Sequence, residues 1–302
     1  MEHEKKVILL AGPTASGKSK LAIKLAQYFN GEIINADSMQ IYKEFSILTS
    51  KPDSQDTKIV KHHLYGFNSV KKKFSTGHWL KMVTKKIEKQ WENGKTPIVV
   101  GGTGLYFKTL TDGLVRIPDI PNNIRTRVRT LHKKIGSRKF FAKLIKLDPL
   151  AKRFILSSDS QRVMRAYEVK KFTKKSLHDW FKDTKPFFLE DDFFKIYIDF
   201  PREELIERIS KRTKLMMKLG AINEVKRFIK LKVKKDKSAN KAIGVSEIKE
   251  YLNNKKDIQE IVEKISIKTR QYAKRQNTWA RGNMTNWFKL QPREISKFLK
   301  KI

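Results

Sequence analysis

Eight residues, Gly12-Pro13-Thr14-Ala15-Ser16-Gly17-Lys18-Ser19, have the G-x-x-x-x-G-K-S spacing that cradles phosphate oxygens. Gly12 and Gly17 let the backbone curl so that successive N–H groups turn inward, and a helix starting at the end of the loop adds partial positive charge there. Thr14, Ala15 and Ser16 supply the inner amides, Lys18 reaches terminal phosphate oxygens, and the Ser19 hydroxyl suits Mg²⁺. The spacing leaves the ligand open. A nucleoside triphosphate, a nucleotide monophosphate pair and an organic diphosphate present the same oxygens.

Two more chemistry-bearing groups follow short apolar runs. Asp37 heads Asp37-Ser38-Met39-Gln40-Ile41-Tyr42, where a carboxylate suits a general base, a water-mediated Mg²⁺ ligand or a helix cap. Thr103 lies in Gly101-Gly102-Thr103-Gly104-Leu105-Tyr106, a second glycine-rich turn that can bring a hydroxyl to a reacting group. The elements that must position all three are strands. β-rich runs at 6–11, 32–36, 96–100 and 194–199, with helix-period stretches between them, predict a parallel α/β sheet with the three motifs at its carboxyl edge.

The gap between the third and fourth runs implies an insertion. Helical patterns at 122–134, 138–146 and 159–171 make it mainly helical, giving a division into 1–113 with 193–302 and an inserted 114–192. The chain after 201 reads as helices at 203–218, 221–232, 245–252 and 258–281, with 233–241 as an exposed loop.

Charge points to a polyanionic partner. The 302 residues hold 67 Lys and Arg against 31 Asp and Glu, a net charge of +36. The excess is concentrated: 114–192 carries 20 basic and 9 acidic residues, and 202–302 carries 28 and 11. Arginines there interleave with Gln, Asn, Tyr and Trp, a mixture that suits phosphate and base contacts and favours nucleic acid over membrane. The chain has no cysteine, which excludes disulfides, Cys-ligated zinc, iron–sulfur clusters and thiol nucleophiles. The apolar runs are too short for a membrane span, and the charged start lacks a signal-peptide pattern, so the expectation is a cytoplasmic protein.

Together these residues are familiar. The chain resembles the bacterial tRNA dimethylallyltransferases through GPTASGKS at 12–19, DSMQIY at 37–42, Lys51-Pro52, His62-His63-Leu64 and GGTGLY at 101–106. The likeness continues through Gln161-Arg162-Val163-Met164-Arg165, the Arg208/Arg212/Met216 stretch and Lys268-Thr269-Arg270-Gln271-Tyr272-Ala273-Lys274-Arg275-Gln276. It implies a P-loop NTPase-like sheet with flanking helices, whose loop holds dimethylallyl diphosphate rather than ATP, with Mg²⁺ as cofactor. The acceptor is the adenine just 3′ of the tRNA anticodon, at nucleotide 37.

By that resemblance Asp37 is the base, Arg212 helps stabilise the leaving diphosphate, and Thr103 contacts the target nucleotide or the diphosphate. The residues Asp37, Ser38, Met39, Gln40, Thr103, Arg125, Gln161, Arg162, Val163, Met164 and Arg165 contact the anticodon stem-loop. The last long helix adds Lys268, Arg270, Gln271, Lys274, Arg275 and Arg281, and a monomer is expected. Tyr272 and Trp279 either stack on bases or face the core. His62 and His63 read as structural or pocket-lining. Val245 and Tyr167 depart from the family's usual Tyr and Leu. The rival readings are a P-loop kinase or NTPase, prenyl transfer to free AMP or ATP, and RNA binding without catalysis.

Overall fold

A computed structural model describes residues 6–254 and 256–301. In chain order the elements are β1 (Val7–Ala11), α1 (Lys18–Tyr28), β2 (Gly31–Asn35), α2 (Ser54–Ile59), β3 (His62–His63), α3 (Thr76–Glu92), β4 (Thr96–Gly101) and α4 (Gly104–Thr111). Then come α5 (Asn122–Leu147), α6 (Ala151–Phe154), α7 (Ser160–Thr173), α8 (Leu177–Lys182), β5 (Phe193–Ile198), α9 (Arg202–Lys218) and α10 (Ala221–Lys230). The chain closes with α11 (Val245–Leu252), α12 (Ile258–Asn283), β6 (Phe288–Leu290) and α13 (Ile295–Lys301).

The strands form one sheet in the order β3-β2-β4-β1-β5-β6, with every pair parallel. All five residues of β1 are buried, as a central strand covered on both faces requires. Register does the positioning: Ala11 pairs with Gly101 and Asn35 with Val100, so β1, β4 and β2 end side by side. The loops leaving those ends hold the phosphate cradle, Thr103 and Asp37. β3 and β6 are additional to the four predicted strands. At two and three residues they are too short to show an alternating pattern.

Two apolar clusters hold this unit together. One packs Leu21, Leu25, Leu205 and Ile209 of α1 and α9 with sheet residues such as Ile8, Leu10 and Ile98. The other gathers Phe45, Leu48, Met216, Phe228, Val245 and Ile265. Val245, the departure from the family's usual Tyr, is therefore a core residue. The predicted loop at 233–241 ends in a short 3-10 turn, Ser238–Lys241, that buries Ala239 in the second cluster, so it is not exposed throughout.

The chain divides into Met1–Thr111 with Phe188–Ile302 and an inserted Asp112–Phe187. The return to the main unit comes earlier than the predicted 193 because Phe188 packs edge-on against Trp91 and Phe193, at 5.3 and 6.0 Å between centroids. The inserted unit is helical. Gly136 breaks α5 with a non-helical φ of 76°, giving the two helices expected there. Both halves and α7 enclose Val128, Phe140, Leu144, Val163, Ala166 and Val169. Among the described residues no helix is long and apolar enough to cross a membrane.

Candidate active site at the carboxyl edge of the sheet

The cradle turns through left-handed backbone at Ala15 (φ 66°) and Gly17 (φ 86°), and α1 begins at Lys18. Ser16 is 1 % exposed, and its Oγ has no hydrogen-bond partner among the described residues. An orphaned buried hydroxyl of this kind fits a group that brings oxygens into the loop. Lys18 Nζ curls back to donate to the Pro13 carbonyl at 3.2 Å. Burial pushes the pKa of Lys18 down to about 8; Asp37 opposes that shift and Arg212 adds to it. Lys18 therefore lies within reach of the charges of Asp37 and Arg212. Ser19 is exposed.

Side chains from distant helices hold the loop from above. Arg212 of α9 donates through Nη1 to Thr14 Oγ1 at 2.9 Å. Burial lowers the pKa of this guanidinium while Asp37 raises it. Gln276 of α12 accepts from the Thr14 N–H at 2.9 Å and donates through Nε2 to the Gly102 carbonyl at 2.8 Å. One amide thus ties the first glycine-rich loop to the second.

The Asp37 turn is fixed just as closely. Asn35 Oδ1 accepts from the Asp37 N–H at 2.8 Å, and Asp37 Oδ1 accepts from the Met39 N–H at 2.8 Å. Trp79, buried and stacked on Tyr106 at 4.2 Å, donates to the Asn35 carbonyl. Thr103 Oγ1 accepts from the Ser38 N–H at 3.0 Å, joining the two turns. Glycine is required where they meet: a Cβ on Gly101 would lie 2.1 Å from the Ala36 carbonyl oxygen, and one on Gly104 2.2 Å from the Trp279 ring.

Two cavities open at this edge. One, of about 300 Å³, is lined by Thr14, Asp37, Met39, Leu48, Arg212, Met216, Ile243 and Ile265. The other, of about 240 Å³, is lined by Gly12, Thr103, Phe107, Tyr197, Trp279 and Met284. Tyr272 and Arg275 line both. Tyr272 and Trp279 are thus cavity walls, and Ile261, Ile265, Ala273 and Ala280 form the buried face of α12. The structure brings Gly12, Thr14, Lys18, Asp37, Thr103 and Arg212 to this edge of the sheet.

The donor set fits a hard cation. It offers the Ser19 hydroxyl and the Asp37 carboxylate, with no group of three or more His, Cys, Asp or Glu among the described residues. Mg²⁺ retains waters and takes other ligands from substrate phosphates, so it needs few protein oxygens.

The remaining candidates divide between faces and anchors. Ser38 and Met39 are half-buried, and Gln40 donates to the Thr49 and Ser50 carbonyls at 2.9 and 3.0 Å. On α12, Lys268, Gln271, Lys274, Arg275 and Arg281 are exposed and Arg270 is half-buried. Lys268 also pairs with Glu247, whose side chain is 2 % exposed and needs a counter-charge. In the inserted unit Gln161 and Arg162 are exposed, and Met164 is half-buried. Arg165 lies 3.7 Å from Glu168, and Arg125 has a buried Nε without a hydrogen-bond partner. Val163 is 1 % exposed in that unit's core. Val163 is therefore a core side chain, whereas Lys268 is exposed and holds Glu247 from the surface. His63 lies 2.6 Å from Glu32 and His62 2.7 Å from the Val60 carbonyl, both built into the β3 edge. Sequence reasoning passed over Gln276, although it lies inside a quoted motif.

A family model described as IPP transferase matches residues 40–283. The chain belongs to the IPP transferase family. It is 53 % identical over 302 residues to a tRNA dimethylallyltransferase of Pelagibacter ubique, covering all of this chain and 96 % of that one. An enzyme of the same name from Agrobacterium fabrum is 40 % identical over 287 residues, 94 % of this chain and 96 % of the relative. The crystal structure of the tRNA isopentenylpyrophosphate transferase from Bacillus halodurans superposes with a TM-score of 0.70 at 29 % identity, covering 98 and 95 % of the two chains. A eukaryotic dimethylallyltransferase acting on tRNA gives 0.81 at 30 % identity, covering 95 and 73 %. The chain is a transferase of this family, of the bacterial type.

Proposed function

We propose that the protein transfers a dimethylallyl group from dimethylallyl diphosphate to the N6 amine of adenine 37 in tRNA, releasing diphosphate. The observation that carries this reading is the larger cavity. It joins Asp37 and Arg212 to an apolar wall of Leu48, Met216, Ile243 and Ile265, which suits a short hydrocarbon attached to an anion.

The exocyclic amine of adenine is a weak nucleophile because its lone pair is delocalised into the ring. As that pair attacks C1 of the allyl group, the C1–O bond breaks and its electrons leave with the diphosphate. The N6 proton passes to the Asp37 carboxylate. Negative charge grows on the leaving oxygens, where the loop amides, Lys18 and Arg212 already stand. Mg²⁺, held by Ser19 and through water by Asp37, would supply further charge neutralisation on the same oxygens. Thr103 keeps the Asp37 turn in register through the Ser38 N–H.

The aromatic walls Tyr272 and Trp279 suit an extruded base. Arg125, Gln161, Arg162, Met164 and Arg165, with Arg270, Gln271, Lys274, Arg275 and Arg281, would contact the anticodon stem-loop, and the protein would act as a cytoplasmic monomer. Incubation with Mg²⁺, labelled dimethylallyl diphosphate and unmodified tRNA, followed by digestion, tests the reading. Label on N6-prenylated adenosine beside the anticodon supports it; transfer to AMP instead, or ATP hydrolysis alone, overturns it.

A further inference from the structure

α9 carries two arginines one turn apart, Arg208 and Arg212, a spacing that sets both on one helix face. Arg212 reaches Thr14 at the front of the phosphate cradle. Arg208 lies at its back. A Cβ built on Gly17 would come 3.3 Å from an Arg208 terminal nitrogen, so the guanidinium rests against the loop just where α1 begins. The first N–H groups of α1, which have no partner within the helix, start at that point.

The guanidinium is held rather than waving. Its carbon sits 4.8 Å from the ring centroid of Phe200, which is buried. Contact with the ring leaves the N–H groups available to fork onto an anion. The adjacent carboxylate, Glu207, is drawn away to Lys211 at 2.6 Å. An exposed, ring-supported arginine against a phosphate loop is a binding group whose ligand belongs in that loop.

We propose that Arg208 is a second arginine of the diphosphate site, forking onto the phosphate farther from Thr14 while Arg212 serves the nearer one. α9 then brackets both phosphorus centres with one helical turn. The ligand named here rests on the prenyl-transfer reading; the anion contact does not. It distinguishes Arg208 from Arg270, Lys274 and Arg281, whose expected partner is RNA.

The test uses the full chain with Arg208→Ala and Arg208→Lys, both at an exposed position. Inorganic diphosphate binding is measured by calorimetry with Mg²⁺ present, and KM is measured separately for dimethylallyl diphosphate and tRNA. Arg208→Ala should weaken diphosphate binding and raise KM for dimethylallyl diphosphate by roughly tenfold or more, the loss expected for a charged hydrogen bond. KM for tRNA should stay unchanged. Arg208→Lys should recover only part of the loss, since an ammonium cannot fork. Unchanged diphosphate affinity in Arg208→Ala, or a rise confined to KM for tRNA, overturns the assignment. Loss of diphosphate affinity in an enzyme that fails to prenylate tRNA would uphold Arg208 and overturn the acceptor.

Discussion

Gln276 and Thr14, 262 positions apart, meet in a 2.9 Å hydrogen bond from the Thr14 backbone N–H to the Gln276 side-chain oxygen. The same amide donates to Gly102 at 2.8 Å, so α12 holds both glycine-rich loops at once. Gln276→Ala removes both bonds, at a cost of about 1 kcal/mol each. The expected result is a lower melting temperature and weaker inorganic diphosphate binding, read by calorimetry. Gln276→Glu should bind diphosphate worse still, because it sets a carboxylate beside the anion site. Diphosphate affinity equal to wild type in both variants would contradict the tie.

Asp37 tests the chemistry apart from the binding. Asp37→Asn keeps an oxygen to accept the Met39 N–H but cannot take the adenine proton. Loss of a general base lowers turnover by about 10² to 10⁴. Single-turnover prenylation with saturating substrates should show that loss while tRNA affinity stays near wild type. Near-normal turnover would remove Asp37 from the role.

Lys18 gives the site a pH signature. Its native pKa of about 8 lies below the ordinary lysine value of 10.5. Between those values the native group has lost its proton and the unfolded group keeps it, so this residue makes the ligand-free protein more stable as pH rises through that window. Diphosphate binding runs the other way, because the anion needs the ammonium. Affinity should fall as pH rises through 8, with proton uptake detectable by calorimetry in buffers of different ionisation heat. Lys18→Met should abolish the part of that uptake due to this residue.

A buried carboxylate underlies one cavity wall. Glu224 is 3 % exposed and accepts from the backbone N–H groups of Ser46, Ile47 and Leu48 at 2.7 to 2.9 Å. Glu224→Ala leaves those donors without it, a cost of about 3 kcal/mol. Urea unfolding should show that loss, and KM for dimethylallyl diphosphate should rise because Leu48 lines the larger cavity.

Much of this arrangement was legible in local pattern. The phosphate cradle announces itself through glycines and a lysine at fixed spacing, and the break at Gly136 shows as two helical periods with a glycine between them. Strand ends put Asp37 and Thr103 at one edge once a parallel sheet is assumed. What stayed hidden depends on distance in space. The ties from Gln276 to Thr14 and from Lys268 to Glu247 join separate elements, and no local period records such a partner. Val163 stands between exposed Arg162 and half-buried Met164, so a motif of neighbours could not reveal that its helix phase points inward.

That difference between motif and phase makes the last prediction. Lys268 and Arg281 are both exposed on α12, yet only Lys268 of the two is paired with the buried Glu247. Lys268→Ala should destabilise the fold by about 1 kcal/mol, because the Lys268 side chain is 52 % exposed and Glu247 keeps the Gly244 and Ser246 donors. Its affinity for an anticodon stem-loop should change little. Arg281→Ala should leave stability alone, weaken RNA binding and reduce the slope of log affinity against log salt by about one. Filter binding across a salt series, run beside urea unfolding, separates the two. If Lys268→Ala instead reduces the salt slope without loss of stability, the ion pair with Glu247 yields to RNA, and α12 presents one more cation than its packing implies.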